Sequence, residues 1–241
     1  MPQVQRKASR VYGVSTMLIY TVIALAAGYA ADMVFGDPHW LYHPVRLIGK
    51  LISALEAVFL RGHGEAGASK RLQLAGGAAL VIIVCAVCVA VPYALLRLCF
   101  MINTVFAVAV MSFMCYQMLA AKSLRDESMK VYDAVVGGTA EDARQAVSMI
   151  VGRDTECLDK EGVTKAAVET VAENFSDGVI APLFYMALGG PVLMILYKGI
   201  NTMDSLQRPL NASITSGISS TLKSKYSPAL IVPRTLPLTI T

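Results

Sequence analysis

Three mostly apolar runs constrain this chain more than any other feature of its sequence. They cover residues 15–34, 74–96 and 98–120. A helix of about 20 such residues is long enough to cross a hydrocarbon core roughly 30 Å thick. We therefore predict three membrane-spanning helices. Arg97 separates the second from the third without a turn signal, so either Pro92 kinks the second helix or the connection lies a few residues from Arg97.

The composition favours the same class of protein. Hydrophobic residues make up 55% of the chain, charged residues make up 16%, and the mean hydropathy is +0.56. Soluble domains contain about 25% charged residues, so this chain departs from them towards membrane proteins. No basic cluster resembles a nucleic-acid-binding surface. We expect the lipid bilayer as a partner and no nucleic acid.

A fourth apolar segment, residues 179–200, is interrupted by a Gly-Gly-Pro break at residues 189–191. Broken helices at membrane depth are tolerated where they are buried in protein or line a cavity. We predict a re-entrant segment that returns Asn201 and Asp204 to the side from which it started. The expected fold class is an all-α integral membrane protein with about four membrane segments, the fourth of them broken.

The connections between these segments carry further helices. From Val45 onward, apolar residues recur at helical spacing and predict an amphipathic helix in the membrane interface. The polar region 121–178 is divided by Gly137-Gly138 and contains capping residues at Thr139 and Asp159, which predict three helices there. The third is expected to end near Asn174, before a turn at Asp177-Gly178.

The charge of the connections predicts their orientation. Loops 36–73 and 121–178 fall on the same side of three spans and contain twelve Lys and Arg residues, against four on the opposite side. Because positively charged loops stay inside, we expect both of these loops in the cytoplasm.

Carboxylates are spaced for cation binding at the junction of the polar region and the fourth segment. Glu169 and Glu173 lie four residues apart and share a helix face with Lys165. A solvated face with one ordinary ion pair is the equal alternative. Mg²⁺ usually takes one or two protein carboxylates and leaves its other positions to water and phosphate. Glu173 and Asp177, with Asp204, therefore fit a magnesium nucleotide better than a closed metal site.

A second set of polar residues lies beside the membrane near two prolines. Asp37 is a further candidate for the metal, and His43 for proton transfer near neutral pH. Both residues also suit turn or cap hydrogen bonds. Arg46 and Arg153 are candidates for phosphate or carboxylate, with lipid headgroups as the alternative for Arg46. Asp32, near the end of the first span, is expected to face protein or water because exposure to lipid is costly.

The order of these motifs resembles one known family. The motifs are Asp32, Gly36-Asp37-Pro38, His43-Pro44-Val45 with Gly49, residues 151–155 (VGRDT), Val168-Glu169, residues 172–174 (AEN), Asp177-Gly178, residues 182–184 (PLF), Asn201-Thr202 and Asp204-Ser205. Their order around the membrane segments is similar to that of the CbiB/CobD family of cobalamin biosynthesis, the adenosylcobinamide-phosphate synthases. The similarity extends from about residue 17 to residue 205.

The resemblance implies a reaction and a set of roles. The family would join adenosylcobyric acid to aminopropanol or its phosphate through an amide bond, using ATP and Mg²⁺, at the cytoplasmic membrane of a bacterium. Other enzymes of cobalamin biosynthesis are further candidate partners. The implied roles are metal and nucleotide for Asp37, Glu173 and Asp177, anionic groups for Arg46, Arg153 and Lys198, polar substrate contacts for Asn174, Asn201 and Asp204, and the base for His43 or Glu169.

The likeness ends after Ser205. The family pattern would continue through a Gly-Tyr-Lys-like stretch, a paired-aspartate segment and a final membrane helix, and residues 206–241 show none of these. We expect a membrane-embedded domain over residues 1–205 and an atypical, disordered tail over residues 206–241, produced by truncation or a frameshift. The alternatives are a small membrane transporter, suggested by the broken fourth segment, and an inactive family member.

Overall fold

A computed structural model describes residues 2–38, 41–59, 70–151 and 155–207, with side chains at 15–38, 41–59, 74–151 and 155–205. Every regular element in these ranges is a helix. The helices are α1 (Pro2–Phe35), α2 (Pro44–Phe59), α3 (Lys70–Ile102), α4 (Thr104–Met118), α5 (Ala121–Gly137), α6 (Ala140–Ser148), α7 (Lys160–Phe175) and α8 (Ala181–Gln207). A π-helical segment, Ser176–Ile180, joins α7 to α8. The predicted all-α class is confirmed, whereas the predicted tail lies almost entirely outside the described residues.

Four helical stretches of the described chain are long and apolar enough to span a membrane. They are Ser15–Phe35, Leu74–Ile102, Thr104–Gly137 and Lys160–Ser205. Large apolar side chains on their outer faces, such as Val22, Ile82 and Val105, are more than half exposed, as expected for surfaces that face lipid. The prediction of about four membrane segments is confirmed.

The connection between α3 and α4 lies at Asn103, a few residues after Arg97, which is one of the two arrangements expected from the sequence. Asn103 has extended backbone angles, and its Oδ1 atom accepts hydrogen bonds from the N–H groups of Val105 at 2.7 Å and Phe106 at 3.4 Å. It is therefore the N-cap of α4, a role for which asparagine is among the preferred residues. Arg97 lies inside α3 with an exposed side chain, because a single charge does not end a helix.

Helices α1 and α4 pack closely along their length. A Cβ atom placed on Gly28 would lie 2.6 Å from Cβ of Cys115 and 2.8 Å from the carbonyl oxygen of Ser112. Only a glycine permits this approach of two backbones, as is common where membrane helices pack. Ala24 and Met111 are buried in the same interface.

The predicted amphipathic helix is observed as α2, but its apolar face contacts protein. Ile48 and Ile52 are buried against Leu80 and Val84 of α3 and Met203 of α8. The face predicted to enter the lipid interface thus contributes to the core.

The polar region forms a small cluster of α5, α6 and α7 around Val131, Val147 and Val163. Both predicted caps are confirmed. Thr139 forms a capping box at the start of α6, and Asp159 accepts a hydrogen bond from the N–H of Gly162 at the start of α7.

The fourth segment reverses direction at Gly189 and Gly190, as the Gly-Gly-Pro break predicts. Gly190 has a φ of 65° and a ψ of −162°, which are not helical angles. The hydroxyl of Tyr197 donates a hydrogen bond to Oδ1 of Asp177 at 3.3 Å. In one unbroken helix these two residues would lie about 30 Å apart. The two arms of the segment therefore run antiparallel as a hairpin.

The chain stays helical where α7 joins the hairpin and makes no reverse turn there. The predicted turn at Asp177-Gly178 is wrong, because the chain continues through Ser176–Ile180 in a π-helical turn. The N–H of Ala181 bonds to the carbonyl oxygen of Ser176, five residues earlier. A π turn adds a residue to the helix without ending it, so the Asp-Gly pair is accommodated inside a continuous element.

Candidate active site

The candidate site lies where the end of α1, the end of α4 and the π segment meet. Gly36, with a φ of 65°, turns the chain out of α1, and its carbonyl oxygen accepts a hydrogen bond from the hydroxyl of Tyr116 at 2.8 Å. Lys122 Nζ donates to the carbonyl oxygen of Val34 at 2.6 Å. These contacts hold the turn that begins at Gly36 against the start of α5. They also place the start of the turn at Gly36 and the start of α5 at the same end of the bundle, as the count of spans predicts.

A small open cleft lies beside this turn. Its walls come from the turn and from the last residues of α4, and they are formed by Gly36, Asp37, Leu41, His43, Tyr116, Gln117 and Leu119. Two of the predicted site residues, Asp37 and His43, therefore share one cavity.

His43 is half-buried in the wall of this cleft. Its Nδ1 atom accepts a hydrogen bond from the N–H of Val45 at 3.2 Å. Burial lowers the pKa of His43; the charge of Asp37 opposes this effect, and the charges of Lys198 and Arg46 add to it. The imidazole is thus favoured in its neutral form, with Nδ1 occupied as an acceptor and the proton on Nε2. In this arrangement His43 offers a hydrogen-bond donor to the cleft.

Lys198 links the His43 turn to the π segment. Its Nζ atom donates a hydrogen bond to the carbonyl oxygen of Asp177 at 3.3 Å, and its charge acts on His43. The reversal of the hairpin makes this possible, because it brings Lys198 back to the level of Asp177. A cation, an imidazole and two carboxylates, Asp37 and Asp177, are gathered in this way from three separate stretches of sequence.

The π segment explains why backbone groups at this junction bond outside their own helix. Its change of hydrogen-bond register leaves carbonyl groups free of the regular ladder. The carbonyl oxygen of Asp177 accepts a hydrogen bond from Nζ of Lys198, and the carbonyl oxygen of Gly178 accepts one from the N–H group of Ala120 at 3.2 Å. The segment that carries Asp177 is therefore fixed from two sides.

The remaining predicted residues of α7 lie on the approach to this junction. Glu169, Glu173 and Asn174 have exposed side chains in its last two turns. Glu173 precedes Asp177 by four residues, so these two carboxylates lie about one helical turn apart.

The other predicted residues come from α2 and from the outer arm of the hairpin, which is the part of α8 after Gly190. Arg46 has an exposed side chain in the first turn of α2 and acts electrostatically on His43. Asn201 and Asp204 follow Lys198 on the outer arm and are half-buried. Arg153 lies outside the described residues.

The predicted metal ligands are not assembled into a closed site. Among the residues with described side chains, no group of three or more His, Cys, Asp or Glu residues is arranged to hold a metal ion. Asp37 lies in the cleft beside His43, Asp177 lies in the π segment, and Glu173 has an exposed side chain on α7. A Mg²⁺ ion that arrives with a nucleotide would need only one or two protein carboxylates.

Two tyrosines of the site were not anticipated from the sequence. Tyr116 holds the Gly36 turn and Tyr197 holds the side chain of Asp177. A buried tyrosine hydroxyl usually finds a partner, but the sequence does not reveal which one when the partner is brought close by a distant turn or a reversal.

Asp32, expected to face protein or water, is only 1% exposed, so that expectation is confirmed.

Comparisons with known proteins agree with the motif order. A family profile described as CobD/Cbib protein matches residues 25–208. The chain is similar to proteins named cobalamin biosynthesis protein CobD from three bacteria. It is 40% identical to that of Clostridium perfringens over 185 residues, which cover 77% of this chain and 57% of the relative. The corresponding identities are 44% for Clostridium acetobutylicum (75% and 56% covered) and 43% for Geobacter metallireducens (73% and 53% covered).

The chain spans a little more than half the length of these curated relatives. No solved structure matches it. The profile match covers most of the chain, including the cleft, the π segment and the hairpin, and on this basis the chain belongs to the CobD/CbiB family.

Proposed function

We propose that this chain acts in cobalamin biosynthesis, in the ATP-dependent formation of an amide between adenosylcobyric acid and aminopropanol or aminopropanol phosphate. The observation that carries the proposal is the position of Lys198, which bonds to Asp177 and acts on His43 at one end of the bundle. Cationic and acidic groups so arranged suit phosphoryl transfer, which depends on positioning and charge stabilisation. Membership of the family supplies the substrate class.

The chemistry requires activation of a carboxylate. An oxygen of the corrinoid carboxylate attacks the γ-phosphorus of ATP, the bond to the bridging oxygen breaks, and ADP leaves. The amine nitrogen then attacks the carbonyl carbon of the acyl phosphate, the carbon–oxygen bond to phosphate breaks, and inorganic phosphate leaves. The nitrogen gives its proton to a base, so the site needs cations for phosphate and an acceptor for one proton.

The cations of the site bind the anionic groups. Lys198 neutralises phosphate charge from the hairpin side, and Arg46 does so from the first turn of α2, with Arg153 as a further candidate. Asp177, Asp37 and Glu173 are the carboxylates we assign to Mg²⁺ that arrives with the nucleotide. When bound, Mg²⁺ neutralises the phosphate oxygens and orients them for transfer. Asn174, Asn201 and Asp204 then provide hydrogen bonds to the polar groups of the corrinoid and the amine.

The hydrogen bond from Val45 supports Glu169 rather than His43 as the base. His43 accepts a proton only at Nδ1, after its bond to the N–H of Val45 is broken. We therefore assign His43 to donation from Nε2 towards a substrate oxygen. The base role falls to Glu169, the other candidate.

The proposed location is the cytoplasmic face of the inner membrane. The charge of the loops supports this orientation, and the site opens at the end of the bundle to which those loops belong. Other cobalamin-biosynthesis enzymes are proposed partners, because a corrinoid intermediate must be delivered to this face.

The experiment uses inverted membrane vesicles that contain either this chain or a chimera in which a relative's C-terminal portion replaces residues 206–241. Vesicles receive adenosylcobyric acid, aminopropanol phosphate and Mg-ATP, and the amide product is measured by mass spectrometry. Product that depends on ATP, from the chain or from the chimera, is expected. If both proteins insert into the membrane and neither forms product, the synthase proposal is overturned.

A further inference from the structure

Asp32 caps a helix to which it does not belong. It lies in the last turn of α1 and is 1% exposed, and its Oδ2 atom accepts hydrogen bonds from the N–H groups of Ala121 at 2.9 Å and Lys122 at 3.3 Å. These groups belong to the first turn of α5, whose own N-cap residue, Ala120, has no side-chain oxygen. The carboxylate of α1 therefore takes the place of the missing local cap.

The capped junction is bonded directly to the π segment. Ala120 directly precedes Ala121 and Lys122, whose N–H groups donate to Asp32. The N–H group of Ala120 itself donates a hydrogen bond to the carbonyl oxygen of Gly178 at 3.2 Å. Gly178 follows Asp177. A continuous path of hydrogen bonds and adjacent residues thus connects the side chain of Asp32 with the residue that holds Lys198 and Tyr197.

Helix capping alone does not account for a carboxylate at this position. Its other oxygen, Oδ1, is buried and has no hydrogen-bond partner among the described residues, which costs free energy. A serine or an aspartate at position 120 would cap α5 locally without this burial. A cap supplied by α1 adds what a local cap does not: it fixes the start of α5 relative to the Gly36 turn. Lys122 strengthens the same tie through its bond to the carbonyl oxygen of Val34.

We propose that Asp32 is a positioning residue of the site, which fixes the α4–α5 junction and through it the π segment that carries Asp177. The consequence for turnover rests on the proposed function, whereas the mechanical link does not. Asp32 touches no substrate in this role. It sets the distance between the cleft that contains Asp37 and His43 and the carboxylate of Asp177.

The test is hydrogen exchange of the whole protein in detergent, read by mass spectrometry without substrate. The variant is Asp32→Ala, and Thr139→Ala is the matched control, because it also removes an N-cap in the polar region but has no bond to the π segment. We expect Asp32→Ala to accelerate exchange about tenfold in residues 120–124 and in residues 176–181, since two bonds to a charged acceptor are lost. Thr139→Ala should accelerate exchange only in α6.

Asp32→Asn is the second variant and keeps one acceptor oxygen. We expect slower hydrogen exchange in residues 176–181 of this variant than in Asp32→Ala. The asparagine variant also allows the test if the alanine variant does not fold. Unchanged exchange in residues 176–181 in every folded Asp32 variant would overturn the link. The same would follow from equal acceleration by Thr139→Ala.

The synthase assay gives a separate reading. Asp32→Ala should lower kcat about tenfold with little change in the KM for ATP, and Asp32→Asn should recover part of the loss. Failure of the unmodified protein and the chimera to form product would count against the proposed function alone, because the exchange experiment does not depend on turnover. Normal kcat in Asp32→Ala beside a fully active reference would overturn the positioning role.

Discussion

The rings of Tyr185 and Tyr197 stack with centroids 4.9 Å apart and planes inclined by 18°, although they lie on opposite arms of the fourth segment. In an unbroken helix their Cα atoms would be about 18 Å apart. The inward arm, residues 176–188, is about 20 Å long, which is less than the roughly 30 Å of a hydrocarbon core. The stack therefore marks a hairpin that enters the bundle and returns.

The sidedness of Ser205 tests the hairpin. In a background without the five native cysteines, a cysteine at Ser205 should react with an impermeant thiol reagent from the same side as one at Ser148. A cysteine at Asn103 serves as the opposite control, because it lies at the far end of α3 and α4. Labelling of position 205 together with position 103 would show that the segment crosses completely.

Gly190 should resist replacement even though space is available. A Cβ atom there meets nothing within 4 Å, but the φ of 65° with a ψ of −162° is a conformation that is almost restricted to glycine. We expect Gly190→Ala to lower the free energy of unfolding by about 1–3 kcal/mol, measured in a mixed-detergent denaturation series.

The matched control is Gly137→Ala. Position 137 is equally open, lies at the end of α5 and has no positive φ. Its replacement should be neutral or stabilise by about 0.4–1 kcal/mol, since alanine restricts the unfolded chain. Equal losses at both positions would mean that backbone conformation at residue 190 does not limit stability.

The pKa of His43 should change when the charged residues near it are replaced. Burial is the main cause that lowers its pKa below 6.5, and the charge of Arg46 adds to this effect. Arg46→Gln should therefore raise the pKa of His43, and Asp37→Asn should lower it further, because a cation disfavours the imidazolium and an anion favours it. NMR of labelled histidine, in protein with His39 and His63 replaced by Gln, measures both shifts. Shifts of opposite sign would contradict the cleft geometry.

The carboxylates at the junction should be required for turnover. Glu173→Gln and Asp177→Asn are expected to lower amide formation by about 100-fold or more, because each removes charge from the proposed magnesium and nucleotide site. Membrane insertion should be unchanged. Glu161→Gln is the control, as Glu161 is an exposed acid in the first turn of α7, away from the junction. Near-normal rates in both site variants would contradict the metal assignment.

Local patterns in the sequence predict much of this fold. Runs of apolar residues locate the spans, and Thr139 and Asp159 mark helix starts because their hydrogen bonds are formed within three residues. The sequence restricts the boundary between α3 and α4 only to within a few residues of Arg97, because the cap at Asn103 lies in an apolar run with no Gly or Pro beside it. The π turn at Asp177-Gly178 was missed, because an Asp-Gly pair favours a turn unless tertiary contacts hold it in a helix.

The residues of the candidate site can be chosen from the sequence by type, but their contacts cannot. Asp37, His43 and Asp177 were selected from their chemistry and Lys198 from the family resemblance, and the structure brings all four to one end of the bundle. Their relationship depends on where the hairpin reverses and on bonds across long stretches of chain, such as that between Tyr197 and Asp177. Such contacts leave no periodic signal in the sequence.

The reversal at Gly189 and Gly190 also determines whether the chain crosses the membrane an odd or an even number of times. Three complete passes followed by a hairpin that does not cross would give an odd number, which predicts that Pro2 and Gln207 lie in opposite compartments. A reporter fused after Gln207 would therefore sample the same solution as Asp177 and His43. Continuous crossing of the fourth segment would instead place that reporter with the beginning of α1.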